Sequence, residues 1–280
     1  MKAAIFGATL SAKSIYEDIK KTYEVIAYCD NDKRKWGGKM YDGVEIINPQ
    51  CLLSLQWDEV IIISLSAMNV IKRQLLDMGV KENRINTTYI ALKVQGREQF
   101  VRDYGKIVSG RRIPGEVAEA GVFQGEFAKI INDIFSDRKL YLFDTFEGFD
   151  ERDIWYEEKN NFSEAKRGHL NLTSEELVLE KMPNPGQCII KKGYFPDSAK
   201  DVSAEFCFVN LDMDLYKPTL EGLRFFYPRM VKGGIIIVHD YFSIGYEGVN
   251  AALDEFLEGI DEMIIPFPIG DGISIAVQKR

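Results

Sequence analysis

The chain has 280 residues, 46% of them hydrophobic and 28% charged, which is typical of a globular protein with room for two domains. Its formal charge of −8 offers no attraction to phosphate backbones, so nucleic acid is not expected as a partner. No stretch approaches the ~18 consecutive apolar residues of a membrane-spanning helix, and the amino terminus has no signal-peptide pattern, so we expect a cytoplasmic protein that does not bind membranes.

The first ~90 residues alternate short apolar runs with helical patterns. Strands are predicted at Ala3–Phe6, Val25–Tyr28 and Val60–Ser64, and helices at Ala12–Thr22 and Asn69–Met78. The last strand is a β-branched run, typical of a strand buried on both faces. Strands that alternate with helices indicate a doubly wound parallel sheet, so residues 1–90 are predicted to form a small Rossmann-like domain.

A polar stretch then leads into a helix predicted at Val94–Ser109. Pro114 and Gly115 follow it and mark a boundary. We therefore expect a helical linker over residues 91–112 and a second domain over residues 113–280.

The second domain repeats the α/β alternation, which predicts a second doubly wound parallel sheet. Its strands are predicted at Glu116–Ala120, Leu140–Phe143, Cys188–Lys191, Phe206–Leu211, Ile235–Val238, Glu262–Ile265 and Ile273–Val277. Its helices are predicted at Glu126–Phe135, Thr219–Tyr227 and Gly248–Leu257.

A long charged and aromatic-rich insertion interrupts this domain at residues 147–185, with a helix predicted at Ser174–Met182. Insertions of this length are usually functional or mobile, and we interpret this one as a lid. Its aromatic side chains can stack on sugar rings or, as is more common, pack the lid onto the body; they are Phe149, Trp155, Tyr156 and Phe162.

Two segments indicate a nucleoside ligand. One strand ends in Glu119-Ala-Gly121, where Gly121 lets a ligand approach the backbone, and Gly125 opens the following helix. The next strand ends in Asp144, the place where such folds bind ribose hydroxyls. A turn glycine and a capping aspartate are the structural alternatives. The glycine spacing does not fit the Gly-x-Gly-x-x-Gly fingerprint, yet these residues alone leave both a dinucleotide and S-adenosylmethionine open.

Acidic residues follow two further strands. Asp212 and Asp214 come after one, and His239 and Asp240 come after the next. Because parallel strands end at the same edge, these carboxylates are expected beside Gly121 and Asp144, where they suit Mg²⁺. The metal would bind a substrate hydroxyl and lower its pKa.

Two histidines are candidates for acid–base chemistry. His239 is interpreted as a general base or a metal ligand. His169, inside the insertion, is either a second base candidate or a solvated loop residue.

From about Pro114 to its end, the chain resembles the macrocin O-methyltransferase family, which methylates sugar hydroxyls of antibiotics. The matching segments are Pro114-Gly-Glu-Val-Ala-Glu-Ala-Gly-Val-Phe-Gln-Gly125, Leu140-Tyr-Leu-Phe-Asp-Thr-Phe-Glu-Gly-Phe-Asp150, Gly193-Tyr-Phe-Pro-Asp-Ser198, Leu211-Asp-Met-Asp-Leu-Tyr-Lys-Pro-Thr219 and His239-Asp-Tyr241. The resemblance implies a class I methyltransferase fold, S-adenosylmethionine as methyl donor, and a Mg²⁺-dependent methylation of a sugar or glycoside.

The resemblance also implies roles for individual residues. The cofactor would be held by Glu119, Gly121, Gly125, Asp144 and Thr145. The metal would be held by Asp212 and Asp240, with Asp212 near the substrate hydroxyl. His239 is added to these from its position beside Asp240, as a third metal ligand and a second catalytic residue. The family has an acidic pair where this chain has His239-Asp240, and imidazole better suits divalent metals softer than Mg²⁺.

The amino-terminal segments resemble a different group of proteins. Ile5–Ala12 and Ala27–Asp32 look like the small Rossmann-like domains that precede some sugar-modifying acyltransferases, with Asp30 in the ribose-binding place. Thr9 and Ala12 stand where a dinucleotide fingerprint has glycine. The alternative functions are therefore nucleotide-sugar binding, with or without catalysis, and a nicotinamide-dependent sugar modification by this domain. A structural or dimerising role is the third interpretation, and a homodimer is a reasonable expectation.

Overall fold

The computed structural model describes residues 1–9, 12–64 and 67–280. The chain forms two compact units, Met1–Gln95 and Gly96–Arg280, and the division falls within helix α3 (Thr88–Arg111). No helix in the described part of the chain is long and apolar enough to span a membrane.

The first unit is built on a five-stranded parallel sheet with the order β3-β2-β1-β4-β5. Its elements are β1 (Lys2–Phe6), α1 (Ala12–Ile19), β2 (Glu24–Cys29), β3 (Ile46–Ile47), β4 (Glu59–Ile62), α2 (Met68–Asp77) and β5 (Ile85–Asn86). The predicted doubly wound parallel sheet is confirmed here. Strand β4 ends at Ile62 rather than Ser64, because its neighbour β1 ends at the paired residue Phe6.

The second unit contains a seven-stranded sheet with the order β11-β12-β10-β9-β6-β7-β8. Its strands are β6 (Glu116–Ala120), β7 (Leu140–Asp144), β8 (Cys188–Lys192), β9 (Phe206–Leu211), β10 (Met230–Val238), β11 (Phe267–Pro268) and β12 (Ile275–Gln278). Its helices are the second part of α3, α4 (Glu126–Ile134), α5 (Glu151–Asn160), α6 (Glu175–Lys181), α7 (Tyr216–Phe226) and α8 (Glu247–Glu258). Apolar clusters cover both faces of this sheet, so its central strands are buried.

The sheet is parallel from β8 to β10, as predicted, but not at its other edge. Strand β12 runs antiparallel to β10, and β11 runs antiparallel to β12. A parallel connection needs about a dozen residues or more, and the chain between Pro268 and Ile275 is too short for one. The predicted parallel sheet is thus confirmed over β8, β7, β6, β9 and β10, and β12 and β11 add an antiparallel edge to it.

Two further predictions need correction. The strand predicted at Glu262–Ile265 does not form. Met263 and Ile265 are 75% and 69% exposed, whereas Ile264 between them packs against the core. The helix predicted at Val94–Ser109 is longer, running over Thr88–Arg111, since the Asn86 side chain accepts a hydrogen bond from the Thr88 N–H and starts the helix earlier.

Candidate active site

The predicted site residues of the second unit lie at one edge of its sheet. Strands β6, β9 and β10 are neighbours, and hydrogen bonds continue between the loops that follow them. The Asp212 N–H donates to the Ala120 carbonyl, and the His239 N–H donates to the Leu211 carbonyl, each at 2.8 Å. Open α/β sheets bind ligands where strand order reverses, at the carboxyl ends of the strands, and β6 occupies that position here.

Gly121 is where two of these loops touch. It has φ +84°, and a Cβ atom there would lie 1.8 Å from the Asp212 carbonyl oxygen. Gly125 caps helix α4 with φ +78°, and a Cβ there would lie 3.0 Å from Val178 of α6. The chain's own packing therefore requires glycine at both positions.

Glu119 is a buried carboxyl group with an unused oxygen. Its side chain is 1% exposed, and Oε1 accepts a hydrogen bond from Asn210 Nδ2 at 2.9 Å. Among the described residues, Glu119 Oε2 and Asn210 Oδ1 have no hydrogen-bond partner. Burial, with a contribution from the Asp212 carboxylate, raises the pKa of Glu119 to about 8. Buried polar atoms are nearly always paired, so Oε2 is a natural acceptor for a bound donor group.

Asp144 joins the loops that follow β6 and β7. Its Oδ2 accepts from the N–H groups of Val122 and Phe123, each at 2.8 Å, and its Oδ1 accepts from the Phe146 N–H at 2.7 Å. Burial raises the pKa of Asp144, and these N–H groups oppose that rise. Two carboxylate oxygens offer about four acceptor positions, and these N–H groups already take at least three of them.

The Thr145 side chain stabilises the turn that follows β7. Its hydroxyl donates to the Gly148 carbonyl at 2.9 Å and accepts from the Glu147 N–H at 3.2 Å. Both contacts lie within the turn, so the side chain shapes the loop that carries Asp144.

Asp212, His239 and Asp240 form a compact cluster in which the ligand atoms lie within 4.8 Å of one another. His239 Nδ1 lies 2.9 Å from Asp212 Oδ1 and 2.9 Å from Asp240 Oδ2. Adjacent ligands of one octahedral ion with ~2.1 Å bonds are about 3 Å apart. The residues therefore fit a divalent cation, with two carboxylates and one imidazole as its donors.

The same contacts control the protonation of the cluster. Burial alone would lower the pKa of His239, but the Asp212 and Asp240 carboxylates outweigh it and raise that pKa to about 10. An imidazolium neither accepts a proton nor binds a metal, so both predicted roles of His239 require the loss of its proton. Burial and the charges of Asp240 and Asp212 raise the pKa of Asp214 well above its ordinary value.

Arg97 is a residue of this site that no sequence pattern indicates. This residue lies on α3, and its Nη1 contacts Asp212 Oδ2 at 2.9 Å across 115 residues of sequence. Burial would raise the pKa of Asp212, but the charges of His239 and Arg97 hold it below its usual range. A second contact that was missed is the Ser243 hydroxyl, which donates a hydrogen bond to Asp240 Oδ1.

The first half of the insertion is fastened to α7. The rings of Tyr156 and Phe162 stack against Tyr216, with centroids 4.8 and 5.4 Å away. Glu157, which is buried, accepts from the Tyr216 N–H at 2.8 Å and from the Ser163 hydroxyl at 2.7 Å. Tyr156 and Phe162 therefore pack the insertion onto the body.

The other insertion residues singled out in the sequence are less enclosed. Trp155 is 59% exposed. His169 is exposed, with its ring centroid 6.3 Å from that of Phe149, and it is not one of the three clustered ligands.

In the first unit, Asp30 follows β2 as predicted, but its carboxylate is already engaged. Oδ2 accepts from the Ala8 N–H at 3.1 Å and from Lys35 Nζ at 2.8 Å, and Oδ1 accepts from the Asp32 N–H at 2.8 Å. Leu10 and Ser11, in the loop where a dinucleotide fingerprint would lie, are outside the described residues.

Comparison with known proteins finds a family match for each part of the chain. Residues 52–268 match the family described as "Macrocin-O-methyltransferase (TylF)", and residues 1–86 match the family described as "C2185-like, N-terminal". The demethyldecarbamoylnovobiocin O-methyltransferase of Streptomyces niveus is 27% identical over 185 residues, which cover 62% of this chain and 69% of that protein.

A second relative is the 8-demethyl-8-(2,3-dimethoxy-α-L-rhamnosyl)-tetracenomycin-C 4′-O-methyltransferase of Streptomyces olivaceus. It is 26% identical over 144 residues, which cover 46% of this chain and 54% of that protein. The chain thus spans about half the length of this relative. Among solved structures, the O-methyltransferase NovP superimposes with a TM-score of 0.54 at 23% identity, covering 66% of this chain and 79% of that one.

The superposition on NovP shows a similarity of fold, whereas the family model matches most of the amino-acid sequence. The family model covers residues 52–268, well over half of the 280 residues. The chain therefore belongs to the macrocin O-methyltransferase (TylF) family and is an O-methyltransferase with a class I S-adenosylmethionine methyltransferase fold.

Proposed function

We propose that this enzyme transfers a methyl group from S-adenosylmethionine to a hydroxyl of a sugar or glycosylated small molecule, assisted by a divalent metal ion. One observation carries the proposal. The unpaired, buried Glu119 Oε2 and the cluster of Asp212, His239 and Asp240 lie at the same edge of one sheet. The names of the relatives support it, since one of them describes a 4′-O-methylation of a compound that carries a rhamnosyl group.

On the cofactor side, the residues proposed to hold S-adenosylmethionine are Glu119, Gly121, Gly125, Asp144 and Thr145. When bound, S-adenosylmethionine supplies an electrophilic methyl group. Glu119 Oε2 accepts a hydrogen bond from it, Asp144 binds its ribose, and the two glycines allow its close approach to the backbone. Thr145 acts indirectly, by shaping the turn after Asp144.

On the acceptor side, Asp212, His239 and Asp240 are proposed to hold the metal. A bound divalent ion lowers the pKa of a coordinated hydroxyl. Asp212 Oδ1 would orient the acceptor hydroxyl and take up its proton, while Arg97 holds that carboxylate in place through Oδ2. The imidazole makes the donor set better suited to Mn²⁺ or a similar ion than to Mg²⁺.

The insertion at residues 147–185 is proposed to cover the acceptor and exclude water. Its contacts with α7 leave the more exposed part around His169 to meet the acceptor. The first unit is proposed to be an accessory domain over residues 1–90, joined by a helical linker over residues 91–112. Dinucleotide binding there is not favoured, since Thr9 and Ala12 stand where a dinucleotide fingerprint has glycine.

Calorimetry on the purified full chain tests the donor. The wild type and Glu119→Gln are titrated with S-adenosylmethionine, NADH and a UDP-sugar. Micromolar binding of S-adenosylmethionine that weakens in the variant supports the proposal. Binding of NADH or the UDP-sugar without S-adenosylmethionine would refute it and move the function to the first unit.

A further inference from the structure

Arg97 is an arginine held at the edge of the sheet by two different contacts. Its Nη1 lies 2.9 Å from Asp212 Oδ2, and its guanidinium carbon lies 4.0 Å above the ring centre of Phe127. The side chain is only 11% exposed. A guanidinium that lies over an aromatic ring and also forms an ion pair is held in one orientation. Its planar N–H donors therefore point in fixed directions.

The contacts of Arg97 leave donors unused. A guanidinium carries five N–H groups. Within the part of the chain that the structure describes, its hydrogen bonding to protein consists of the Nη1 contact with Asp212. The remaining N–H groups can therefore bind a second anion, and two parallel N–H groups match the geometry of a carboxylate.

Glu119 provides a second carboxyl group nearby. The Asp212 carboxylate, which Arg97 contacts, raises the pKa of the Glu119 carboxyl group, and the positive charge of Arg97 lowers it. Gly121, two residues beyond Glu119, packs directly against the Asp212 backbone. One short stretch of the sheet edge thus carries a buried acceptor oxygen without a partner and a cation with spare donors.

The amino-acid end of S-adenosylmethionine carries an ammonium group and a carboxylate group. An acceptor oxygen and a guanidinium with spare donors match these two groups. We propose that Arg97 binds the carboxylate of the methionine part of S-adenosylmethionine, while Glu119 Oε2 accepts a hydrogen bond from its ammonium group. This inference rests on the proposed function, because it takes S-adenosylmethionine as the donor. It gives α3 a direct part in cofactor binding.

The test compares two ligands that differ at this end. S-adenosylhomocysteine carries the amino-acid group, and 5′-methylthioadenosine lacks it. Calorimetry on the full chain gives the Kd of each ligand for the wild type, Arg97→Gln and Arg97→Lys. The control is Arg102→Gln, on the same helix, where Arg102 is 40% exposed and pairs with Glu98 and Asp133.

Loss of a charge-assisted hydrogen bond corresponds to a factor of about 10–100 in Kd. Arg97→Gln is expected to weaken S-adenosylhomocysteine by about that factor while changing the Kd of 5′-methylthioadenosine less than about threefold. Arg97→Lys should lie between, and Arg102→Gln should match the wild type.

The other outcomes are distinct. An equal change for both ligands, or no change for either, would overturn the role of Arg97 while leaving the proposed donor intact. If the wild type binds neither ligand, the proposed donor fails and the inference fails with it. A thermal melt of each variant identifies loss of folding, and Arg97→Lys then decides the question, since it keeps the charge.

Discussion

Glu119 and Asn210 face each other on the paired strands β6 and β9, joined by a 2.9 Å hydrogen bond, and each keeps one buried oxygen without a partner among the described residues. The second oxygens lie where a ligand with N–H groups can supply the missing hydrogen bonds. With the proposed role of Glu119 in cofactor binding, we expect that binding to depend on pH.

S-adenosylhomocysteine should bind more tightly as pH rises toward 8. Glu119, with its pKa raised to about 8, is protonated in the free enzyme at neutral pH, whereas an ammonium partner requires the carboxylate. Binding must therefore release a proton, and the affinity changes by at most about tenfold per pH unit below 8. Calorimetry from pH 6.5 to 8.5 in two buffers measures this release. Glu119→Gln should remove it, and an unchanged pH dependence in that variant would contradict the assignment.

Gly121→Ala should separate the loops after β6 and β9. The new Cβ would lie 1.8 Å from the Asp212 carbonyl oxygen, and the positive φ strains any side chain. We expect a loss of about 2–4 kcal/mol in the free energy of unfolding, together with loss of S-adenosylhomocysteine binding. Gly110→Ala is the control, because a Cβ there meets nothing within 4 Å. Denaturant melts that show equal stability for the two variants would be inconsistent with this packing.

His239→Asp should change the metal preference of the cluster. Three carboxylates suit Mg²⁺, whereas an imidazole among them favours Mn²⁺. The ratio of Mn²⁺ to Mg²⁺ affinity, measured by competition against the Mn²⁺ electron paramagnetic resonance signal, should fall in the variant. His169→Asp replaces the exposed histidine and should leave the ratio unchanged. A ratio that does not move in His239→Asp would exclude His239 as a ligand.

Glu157→Ala should loosen the first half of the insertion. The buried Glu157 carboxylate accepts from the Tyr216 N–H and from the Ser163 hydroxyl, and its loss leaves the N–H unpaired at a cost of about 1–3 kcal/mol. Limited proteolysis should cut residues 147–185 faster, and KM for the acceptor should rise while binding of S-adenosylhomocysteine is retained. Glu158→Ala, at an exposed neighbour, is the control. Equal cleavage rates in the two variants would argue against this anchoring.

Local sequence patterns predicted the central strands well and the sheet edge poorly. Strands β6 and β9 were predicted to the residue, since their apolar runs end sharply at glycine and aspartate. At the antiparallel edge, β11 has only two residues, and a pair that short leaves almost no periodicity to detect. The apolar residues Met263 and Ile265 were taken for a strand although they are exposed.

The residues of the candidate site also divide into those that local sequence patterns predict and those that they do not. The grouping of Gly121, Asp144, Asp212 and His239 could be predicted because each residue ends a parallel strand or directly follows one, and such strand ends meet at one edge. Arg97 could not, because it reaches Asp212 across 115 residues from a helix that looked like a linker. Contacts of that kind depend on how the helix packs, which no local pattern encodes.

Methyl transfer itself is the most direct test of the central claim. The enzyme is incubated with S-adenosylmethionine labelled in its methyl group and a panel of glycosides, including rhamnosides, with Mn²⁺ or Mg²⁺, and the products are analysed by mass spectrometry. The account predicts one added labelled methyl group on a sugar oxygen, lost in Asp212→Asn although S-adenosylhomocysteine still binds. Label on a non-sugar part of the acceptor, or equal product from Asp212→Asn, would contradict it.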